Sequence, residues 1–349
     1  MLIYIVLSFV ISAILIPIII RLCNRLGWYD HVNERKVHSG NIPRLGGVGF
    51  MAAFVTASSL FLSTQSSLDR GTFLPIIIAG LVIFIFGIVD DFGDLRARLK
   101  FLVQILATII MIFSGTRFTQ IGPWQLGILS YPLTFFWVIG VINAFNLIDG
   151  VDALCGTLAT LVLATYGFLY LVAQRLDIAG ISLILAAAIL GFLLYNKPKA
   201  RVFMGDGGSQ FLGFMVAVIP LFPFGNSFDY NRTLIAIILT AIPVLDTIAA
   251  VWRRTREGRS FFSPDKAHLH HKLMNMGYST KGLLSILILL QFGLCCFAII
   301  ALWCGPIRGL FVLIGALCVV VAFFVVIHYT HRAVQRRHHV MLDDEKADF

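Results

Sequence analysis

Long apolar runs occupy most of this chain, and they limit its fold more strongly than any other feature. Each run approaches the roughly 20 residues that a helix needs to cross the hydrocarbon core of a bilayer. Charged residues make up only 13% of the chain, well below their share in soluble proteins. We therefore predict an all-α, polytopic integral membrane protein with about 11 transmembrane helices. The runs lie near residues 2–20, 46–63, 73–89, 100–114, 126–142, 153–173, 178–195, 208–224, 233–252, 282–303 and 309–328.

The basic residues are divided unequally between the two sets of connecting segments that eleven spans would create. One set, together with the C-terminal tail, holds 22 of the 27 lysines and arginines. The positive-inside rule assigns this richer side to the cytoplasm, so we expect the N-terminus outside and the C-terminus in the cytoplasm. Topology and attraction to anionic membrane lipids then account for the net charge of +9, and no nucleic-acid partner is expected.

The acidic residues gather on the same side, and topology does not explain why. Of the 18 Asp and Glu residues, only Asp69, Asp177 and Asp229 are assigned to the outside, although acidic residues contribute little to the positive-inside rule. Carboxylates at membrane depth are costly and usually functional. Grouped carboxylates repel one another unless a cation joins them, and Mg²⁺ takes oxygen ligands of this kind. We therefore expect an active site on the cytoplasmic face.

The first cytoplasmic segment ends in the sequence HSGNIPRLGG. Arg44 in this turn suits an anionic phosphate, and Gly46 and Gly47 would let backbone amides come close to a ligand. The alternative is an ordinary positively charged loop that enters the next span.

The third span runs into VDDFGDLRARLK, which places Asp90 and Asp91 at the water boundary and Lys100 at the start of the next helix. The pattern fits the DDxxD sequence by which prenyltransferases hold Mg²⁺ and a diphosphate. The alternative is helix capping followed by a solvated run of charges.

The fifth span ends in NAFNLIDGVDAL, in which Asn143, Asn146, Asp149 and Asp152 recur every three residues. On a helix this spacing keeps the four side chains roughly on one face. A stripe of amides and carboxylates suits a metal and phosphate site or a hydroxyl-rich ligand. Capping of a short re-entrant turn is the alternative.

The eighth span follows RVFMGDGGSQF, a glycine-rich turn that places Asp206 at a helix N-terminus. A helix start attracts phosphate, and Asp206 can bind the cation that bridges to it, which makes it the best single metal-ligand candidate. Phe203, just before it, is a candidate for stacking on a base, with ordinary packing as the alternative.

The last large loop contains three histidines, His268, His270 and His271, among several basic residues. No cysteine accompanies them, so a zinc site would lack soft ligands. Donors to a phosphate and to sugar hydroxyls fit better, and a solvated basic loop is the alternative. Asp246 lies inside a span near this loop and has no firm role; pairing with an arginine would let it brace the loop.

These motifs, in this order and on this side of the membrane, resemble the polyprenyl-phosphate N-acetylhexosamine-1-phosphate transferases. The resemblance runs from PRLGG through VDDFGD, NAFNLIDGVD and VFMGDGGS to HLHH, nearly the whole chain. The HLHH form resembles the branch that uses UDP-GlcNAc, whereas the phospho-MurNAc-pentapeptide translocases typically have three consecutive histidines. One departure is Ala153, where the family usually has glycine in a DGxDG pattern.

The resemblance implies transfer of GlcNAc 1-phosphate from UDP-GlcNAc to undecaprenyl phosphate in the bacterial cytoplasmic membrane, with release of UMP. This would be the first membrane step of a cell-surface polysaccharide pathway, such as that of O-antigen or teichoic acid. We expect Mg²⁺, with Mn²⁺ as a compatible substitute, to be held by Asp206 with Asn146 or Asp149.

In the family, the first aspartate of the VDD motif is assigned to the acceptor phosphate as its base, which corresponds to Asp90 here, with Asp91 in support. We expect Lys100, Arg44 and the histidine loop to add electrostatic stabilisation. A two-step route with Asp149 as the nucleophile is the alternative mechanism.

Three other functions compete with this one. The sister translocase activity differs only in the sugar donor. A prenyltransferase would explain DDxxD but would leave GDGGS and HLHH without a role. A transporter would place polar groups near the middle of its spans, where this sequence has few.

No repeat, low-complexity stretch or linker divides the chain. Residues 1–330 are therefore predicted to form a single transmembrane catalytic domain, and residues 331–349 a solvated cytoplasmic tail. The six cysteines contain no CxxC pair and are expected to be free thiols. A homodimer is compatible with the sequence.

Overall fold

The computed structural model describes residues 1–29, 42–64, 70–93, 95–225, 227–260 and 268–347, with side chains described except at 70–74 and 337–347. The described chain is almost entirely helical, which confirms the predicted all-α membrane class. Its helices are α1 (Leu2–Leu26), α2 (Gly46–Ser63), α3 (Arg70–Gly93), α4 (Ala97–Phe113), α5 (Ser130–Ile148), α6 (Leu154–Val172), α7 (Leu176–Asn196), α8 (Gly205–Val218), α9 (Arg232–Leu239), α10 (Ala241–Arg256), α11 (Leu269–Asn275), α12 (Thr280–Trp303) and α13 (Pro306–Ala347). A short antiparallel hairpin, β1 (Gln120–Ile121) with β2 (Trp124–Gln125), joins α4 to α5.

Eight of the described helices are long and apolar enough to cross a membrane, and a ninth span results if α9 and α10 are counted as one bent unit. Helices α4 and α8 have 17 and 14 residues, so they fall short of a full crossing by length. Each of the eleven predicted runs contains a described helix, but a total of eleven crossings stays a prediction.

Two helices form the centre of the bundle. Helix α7 packs against α1, α2 and α6, and α8 packs against α3 and α5. Every residue of α8 except Asp206 is buried. A Cβ added at Gly213 of α8 would lie 2.7 Å from Cα of Ile142, so the missing side chain lets α8 and α5 approach closely. The one accessible side chain of the most enclosed helix is therefore a carboxylate.

The ninth predicted span is broken, because α9 and α10 meet at an angle of 61°. Pro243, one turn past the break, has no N–H to donate to the carbonyl of Leu239. Gln291 of α12 donates its Nε2 to that carbonyl at 3.0 Å instead. The carbonyl of Leu239 therefore keeps a hydrogen-bond partner despite the bend. The bend directs α10 toward the histidine loop.

The last helix continues past the predicted start of the tail. Helix α13 has 42 residues and runs without a break from Pro306 to Ala347. The boundary at residue 330 stays a prediction, since no described change of structure marks it. Asp94, the final position of the DDxxD pattern, lies outside the described residues, as do His38 to Asn41 of the first motif and Pro264 to Lys266 before the histidines.

Candidate active site

The second aspartate of the VDD motif connects α3 to the start of α8. Asp91 Oδ1 accepts a hydrogen bond from the backbone N–H of Asp206 at 2.8 Å, and its Oδ2 accepts one from Gly207 at 3.3 Å. A carboxylate at a helix N-terminus satisfies unpaired N–H groups and complements the helix dipole. Asp91 thus holds Asp206 in place, and its predicted supporting role in catalysis stays a prediction.

The PRLGG and VFMGD motifs pair through their backbones. Phe203 donates its N–H to the carbonyl of Pro43 at 2.7 Å, and Gly46 and Gly47 donate to the carbonyls of Phe203 and Met204, both at 2.9 Å. The expectation that these glycines present amides to a ligand was therefore wrong. Their role is close packing, because a Cβ at Gly47 would lie 2.7 Å from the Met204 carbonyl oxygen.

Asp206 is the point at which the other motifs meet. Its Oδ2 lies 3.1 Å from Lys100 Nζ, and its Oδ1 accepts a hydrogen bond from Asn146 Nδ2 at 3.2 Å. Lys100 also forms an ion pair with Asp90. Arg44 Nη2 lies 4.0 Å from Asp206 Oδ1 and 3.5 Å from Asp91 Oδ1. The structure thus brings residues of four motifs into one polar cluster.

Asp90 is fixed at both of its oxygens. Its Oδ1 accepts a hydrogen bond from the backbone N–H of Leu95 at 2.8 Å, and its Oδ2 contacts Lys100. The residue is 3% exposed, at the end of α3. A single ammonium group, that of Lys100, therefore joins the predicted base to the predicted metal ligand.

Asp149 differs from the other carboxylates of the cluster. Its side chain makes no hydrogen bond or ion pair with any described residue. Burial raises the pKa of the Asp149 carboxyl well above its usual value, and the charges of Asp206 and Asp91 raise it further, opposed only in part by Arg44. An ionised Asp149 would therefore be stabilised by a cation beside it.

The donor set fits a hard divalent cation. Within the described residues no three His, Cys, Asp or Glu side chains are placed to hold a metal ion. Mg²⁺, however, is usually held by one or two carboxylates together with substrate phosphates and water. Asp206 and the unpartnered Asp149, with the amide of Asn146, offer oxygen ligands of that number and kind.

Two predicted ligand-binding residues have structural partners. Asn143 donates its Nδ2 to Oε1 of Gln104 at 2.7 Å. Asp152 Oδ2 accepts hydrogen bonds from the backbone N–H groups of Lys199 and Ala200 at 3.1 and 3.0 Å. Both residues border the cluster, and their contact with a substrate stays a prediction.

The histidine loop is attached to α10 by Asp246. The Oδ2 atom of Asp246 lies 2.9 Å from Nδ1 of His268, and its Oδ1 accepts the backbone N–H of Leu269 at 2.8 Å. Asp246 is 2% exposed. It does brace the loop, through a histidine and a backbone amide, and its pairing with an arginine stays a prediction.

His270 brings this loop to the Asp149 turn. A Cβ at Gly150 would lie 2.9 Å from Nε2 of His270, so the ring covers that glycine. The ring stacks parallel to His268 at 5.9 Å and lies 4.3 Å from His271. Burial lowers the pKa of His270 to about 4, and the neighbouring histidines contribute. All five motifs therefore meet at one end of the bundle, with His270 neutral at pH 7.

Sequence reasoning missed three buried amides that organise this end. Asn196 accepts the backbone N–H of Ala153 at 2.9 Å and donates to the carbonyl of Val202 at 2.8 Å, which joins two motif loops. Gln104 and Gln210 bond each other at 3.0 Å beneath the cluster. Amide side chains within or at the end of apolar runs were the available signal, since such groups are costly at membrane depth unless they are paired.

Comparisons with known proteins identify relatives of this chain. The family model described as "Glycosyl transferase family 4" matches residues 73–223. A Bacillus subtilis (strain 168) protein named "Probable undecaprenyl-phosphate N-acetylglucosaminyl 1-phosphate transferase" is 34% identical over 302 residues, which cover 83% of this chain and 82% of that protein. The Mycobacterium tuberculosis (strain CDC 1551 / Oshkosh) "Decaprenyl-phosphate N-acetylglucosaminephosphotransferase" is 33% identical over 332 residues, covering 85% and 81%. An Escherichia coli (strain K12) protein named "Undecaprenyl-phosphate alpha-N-acetylglucosaminyl 1-phosphate transferase" is 31% identical over 282 residues, covering 75% and 73%.

Proposed function

This chain belongs to glycosyl transferase family 4, among the polyprenyl-phosphate N-acetylhexosamine-1-phosphate transferases, and we propose that it transfers GlcNAc 1-phosphate from UDP-GlcNAc to undecaprenyl phosphate. The products are undecaprenyl-diphospho-GlcNAc and UMP. The reaction begins a cell-surface polysaccharide at the inner face of a bacterial cytoplasmic membrane. The names of the similar proteins support the lipid acceptor and the GlcNAc phosphate group.

One structural observation carries the proposal. Asp206 lies at the start of a buried helix and contacts an ammonium group, an amide and a guanidinium group from three other motifs. A site for a diphosphate needs carboxylates to hold a cation and fixed positive groups to meet the remaining charge. A transporter has no need for this collection of groups at one end of the bundle.

The chemistry is displacement at the β-phosphorus of the donor. An oxygen of the acceptor phosphate forms the new P–O bond as the bond from the β-phosphorus to the oxygen bridging the two phosphates breaks, and the electron pair leaves with UMP. A phosphate monoester has a second pKa of about 6, so the acceptor is largely dianionic at neutral pH. Asp90 then orients the nucleophile and does not need to act as a strong base.

The protein's fixed charges meet the charge that develops on the phosphates. Lys100 bridges Asp90 and Asp206, so it lies where acceptor and donor phosphates would meet. Arg44, just before α2, lies within ion-pair distance of Asp91 and Asp206. A bound Mg²⁺, held by Asp206 with Asn146 or Asp149, would neutralise charge on the donor diphosphate. His268, His270 and His271 supply donors to phosphate and sugar hydroxyls.

The donor assay tests this function directly. Purified protein with Mg²⁺ and undecaprenyl phosphate is offered UDP-GlcNAc, UDP-GalNAc or UDP-MurNAc-pentapeptide in separate reactions, and UMP release is measured. We expect turnover with UDP-GlcNAc. Turnover with the pentapeptide donor alone would instead assign the sister translocase activity. In a separate reaction that offers a prenyl diphosphate, release of inorganic diphosphate would assign a prenyltransferase.

The unpartnered carboxylate of Asp149 also supports a second mechanism, in which it attacks the donor and forms an aspartyl-phosphate. Labelled UMP would then exchange into UDP-GlcNAc without lipid acceptor. Absence of this exchange in an active preparation would support direct attack by the acceptor phosphate.

A further inference from the structure

Each of three helices at the proposed active site carries a second polar residue one turn farther into the bundle. On α4, Gln104 lies four residues after Lys100. On α8, Gln210 lies four residues after Asp206. On α5, Asn143 lies three residues before Asn146. Residues three or four apart lie on the same face of a helix, so the three amides form a second layer beneath the first.

The amides of this second layer are bonded to one another in a chain. Asn143 donates to Oε1 of Gln104 at 2.7 Å, and Gln104 donates its Nε2 to Oε1 of Gln210 at 3.0 Å. Gln104 is therefore the central member and bonds both α5 and α8. Gln104 and Gln210 are 3% and 4% exposed, so solvent cannot replace these bonds.

The first layer depends on the same three helices. The carboxylate of Asp206 on α8 forms an ion pair with Lys100 of α4 at 3.1 Å. It also accepts a hydrogen bond from Asn146 of α5 at 3.2 Å. A shift of α4 along its axis would move Lys100 away from Asp206 and would also break the bonds of Gln104. Because an unpaired buried amide is costly, the second layer opposes this shift.

We propose that Gln104 is a positioning residue, which fixes the axial register of α4 against α5 and α8 and thereby holds Lys100 against Asp206. The proposal rests on the proposed function of the cluster. Gln104 does not touch the reacting groups, so its effect passes through Lys100. A displacement of about 1 Å at a reacting site can lower a rate by as much as about 100-fold.

The kinetic test compares Gln104→Leu with Thr108→Val in the UMP-release assay. Thr108 is one turn farther along α4 and is fully buried. Among the described residues, its hydroxyl bonds only the Gln104 carbonyl of its own helix, at 2.7 Å. We expect Gln104→Leu to lower kcat by about 10-fold to 100-fold with little change in KM for UDP-GlcNAc. Thr108→Val should keep the wild-type kcat. Gln104→Met, closer in shape, serves if Gln104→Leu does not fold.

A double-mutant comparison separates positioning from general destabilisation. In a Lys100→Met background, Gln104→Leu should lower kcat no further, because the group through which it acts is already gone. An equal loss of kcat in both backgrounds would overturn the proposal.

A readout without turnover distinguishes failure of the inference from failure of the proposed function. The N–H groups of Asp206 and Gly207 are bonded to Asp91, and their hydrogen exchange reports the start of α8. Gln104→Leu should speed exchange in this segment, whereas Thr108→Val should not. Unchanged exchange would overturn the inference even if wild-type protein turns over another donor, and a wild-type protein that releases no UMP would overturn only the function.

Discussion

At the scale of single residues, Ala153 shows how this chain tolerates a departure from the family pattern. Ala153 has φ 63°, in the left-handed region that glycine occupies without penalty. The hydrogen bond from its N–H to Asn196 holds the turn in this conformation. Ala153 therefore adopts, at some cost in strain, a conformation that glycine would adopt without it.

Replacing this alanine should stabilise the protein. We expect Ala153→Gly to raise the free energy of unfolding by about 0.5–1 kcal/mol, since relief of left-handed strain exceeds the entropy cost of glycine. Thermal unfolding in detergent would measure the change. Ala164→Gly within α6 is the matched control and should destabilise by about 1 kcal/mol. A loss of stability in both variants would contradict the strain interpretation.

His270 should make stability depend on pH in a defined window. Burial lowers the pKa of His270 to about 4 from its usual 6.5, and His271 and His268 lower it further while Asp246 opposes them. The unfolded chain therefore binds more protons between these values, so stability falls as pH drops from 6.5 toward 4.

The measurement compares thermal unfolding of wild type and His270→Gln across this window. The wild type should lose up to about 3 kcal/mol more than the variant on acidification, because each pKa unit corresponds to about 1.4 kcal/mol. Above pH 7 the difference between the two proteins should be constant. Parallel pH profiles throughout would show that His270 has an ordinary pKa.

At the scale of elements, α10 positions the histidine loop through one side chain. Asp246→Asn removes the charge facing His268 and leaves only one oxygen for two donors. We expect kcat for UMP release to fall about 10-fold or more. Losses of this size are seen in metal enzymes when a residue that orients an active-site histidine is removed. Thr247→Val is the control, since within the described part of the chain the Thr247 hydroxyl bonds only the Pro243 carbonyl of its own helix. Wild-type turnover by Asp246→Asn would remove the positioning role.

The bend between α9 and α10 makes a second prediction about stability. Gln291→Leu leaves the Leu239 carbonyl unpaired within the bundle, which should cost about 1–3 kcal/mol in thermal unfolding. Pro243→Ala restores a helical N–H near this carbonyl, so the double variant should recover part of the loss. Equal losses of stability in the single and double variants would mean that the Leu239 carbonyl needs the Gln291 hydrogen bond whether or not residue 243 is proline.

At the scale of the whole molecule, the bundle surrounds α7 and α8 and presents its polar residues at one end. Helices α1 and α13 lie at the edge, with only 22% of the residues in their most apolar stretches buried. The central position of α8 explains why a single carboxylate at its start can receive contacts from α4 and α5 together. The homodimer stays a prediction.

The orientation of the bundle predicts where the donor must be supplied. If the motif end faces the cytoplasm, sealed inside-out vesicles should consume added UDP-GlcNAc without detergent. Right-side-out vesicles should stay inactive until detergent opens them, because a charged nucleotide sugar does not cross the bilayer. Activity in sealed right-side-out vesicles alone would reverse the predicted topology.

The sequence by itself determined the class of the protein and the chemical character of its site. Apolar runs of membrane-spanning length leave helices as the structure that satisfies the backbone in lipid. Carboxylates, amides and glycines at the ends of these runs indicated a phosphate site, and their order matched one family. These properties are local in sequence, so they can be read without knowing how the helices pack.

Only the tertiary structure decided which group meets which. Lys100 and Asp206 are 106 positions apart, and Asp91 and the N–H of Asp206 are 115 apart. Such pairs depend on the rotation and axial register of each helix, which hydrophobic patterning leaves undetermined. For this reason the capping role of Asp91, the attachment of His268 to Asp246 and the amide layer around Gln104 required the folded structure, since each results from packing between distant segments.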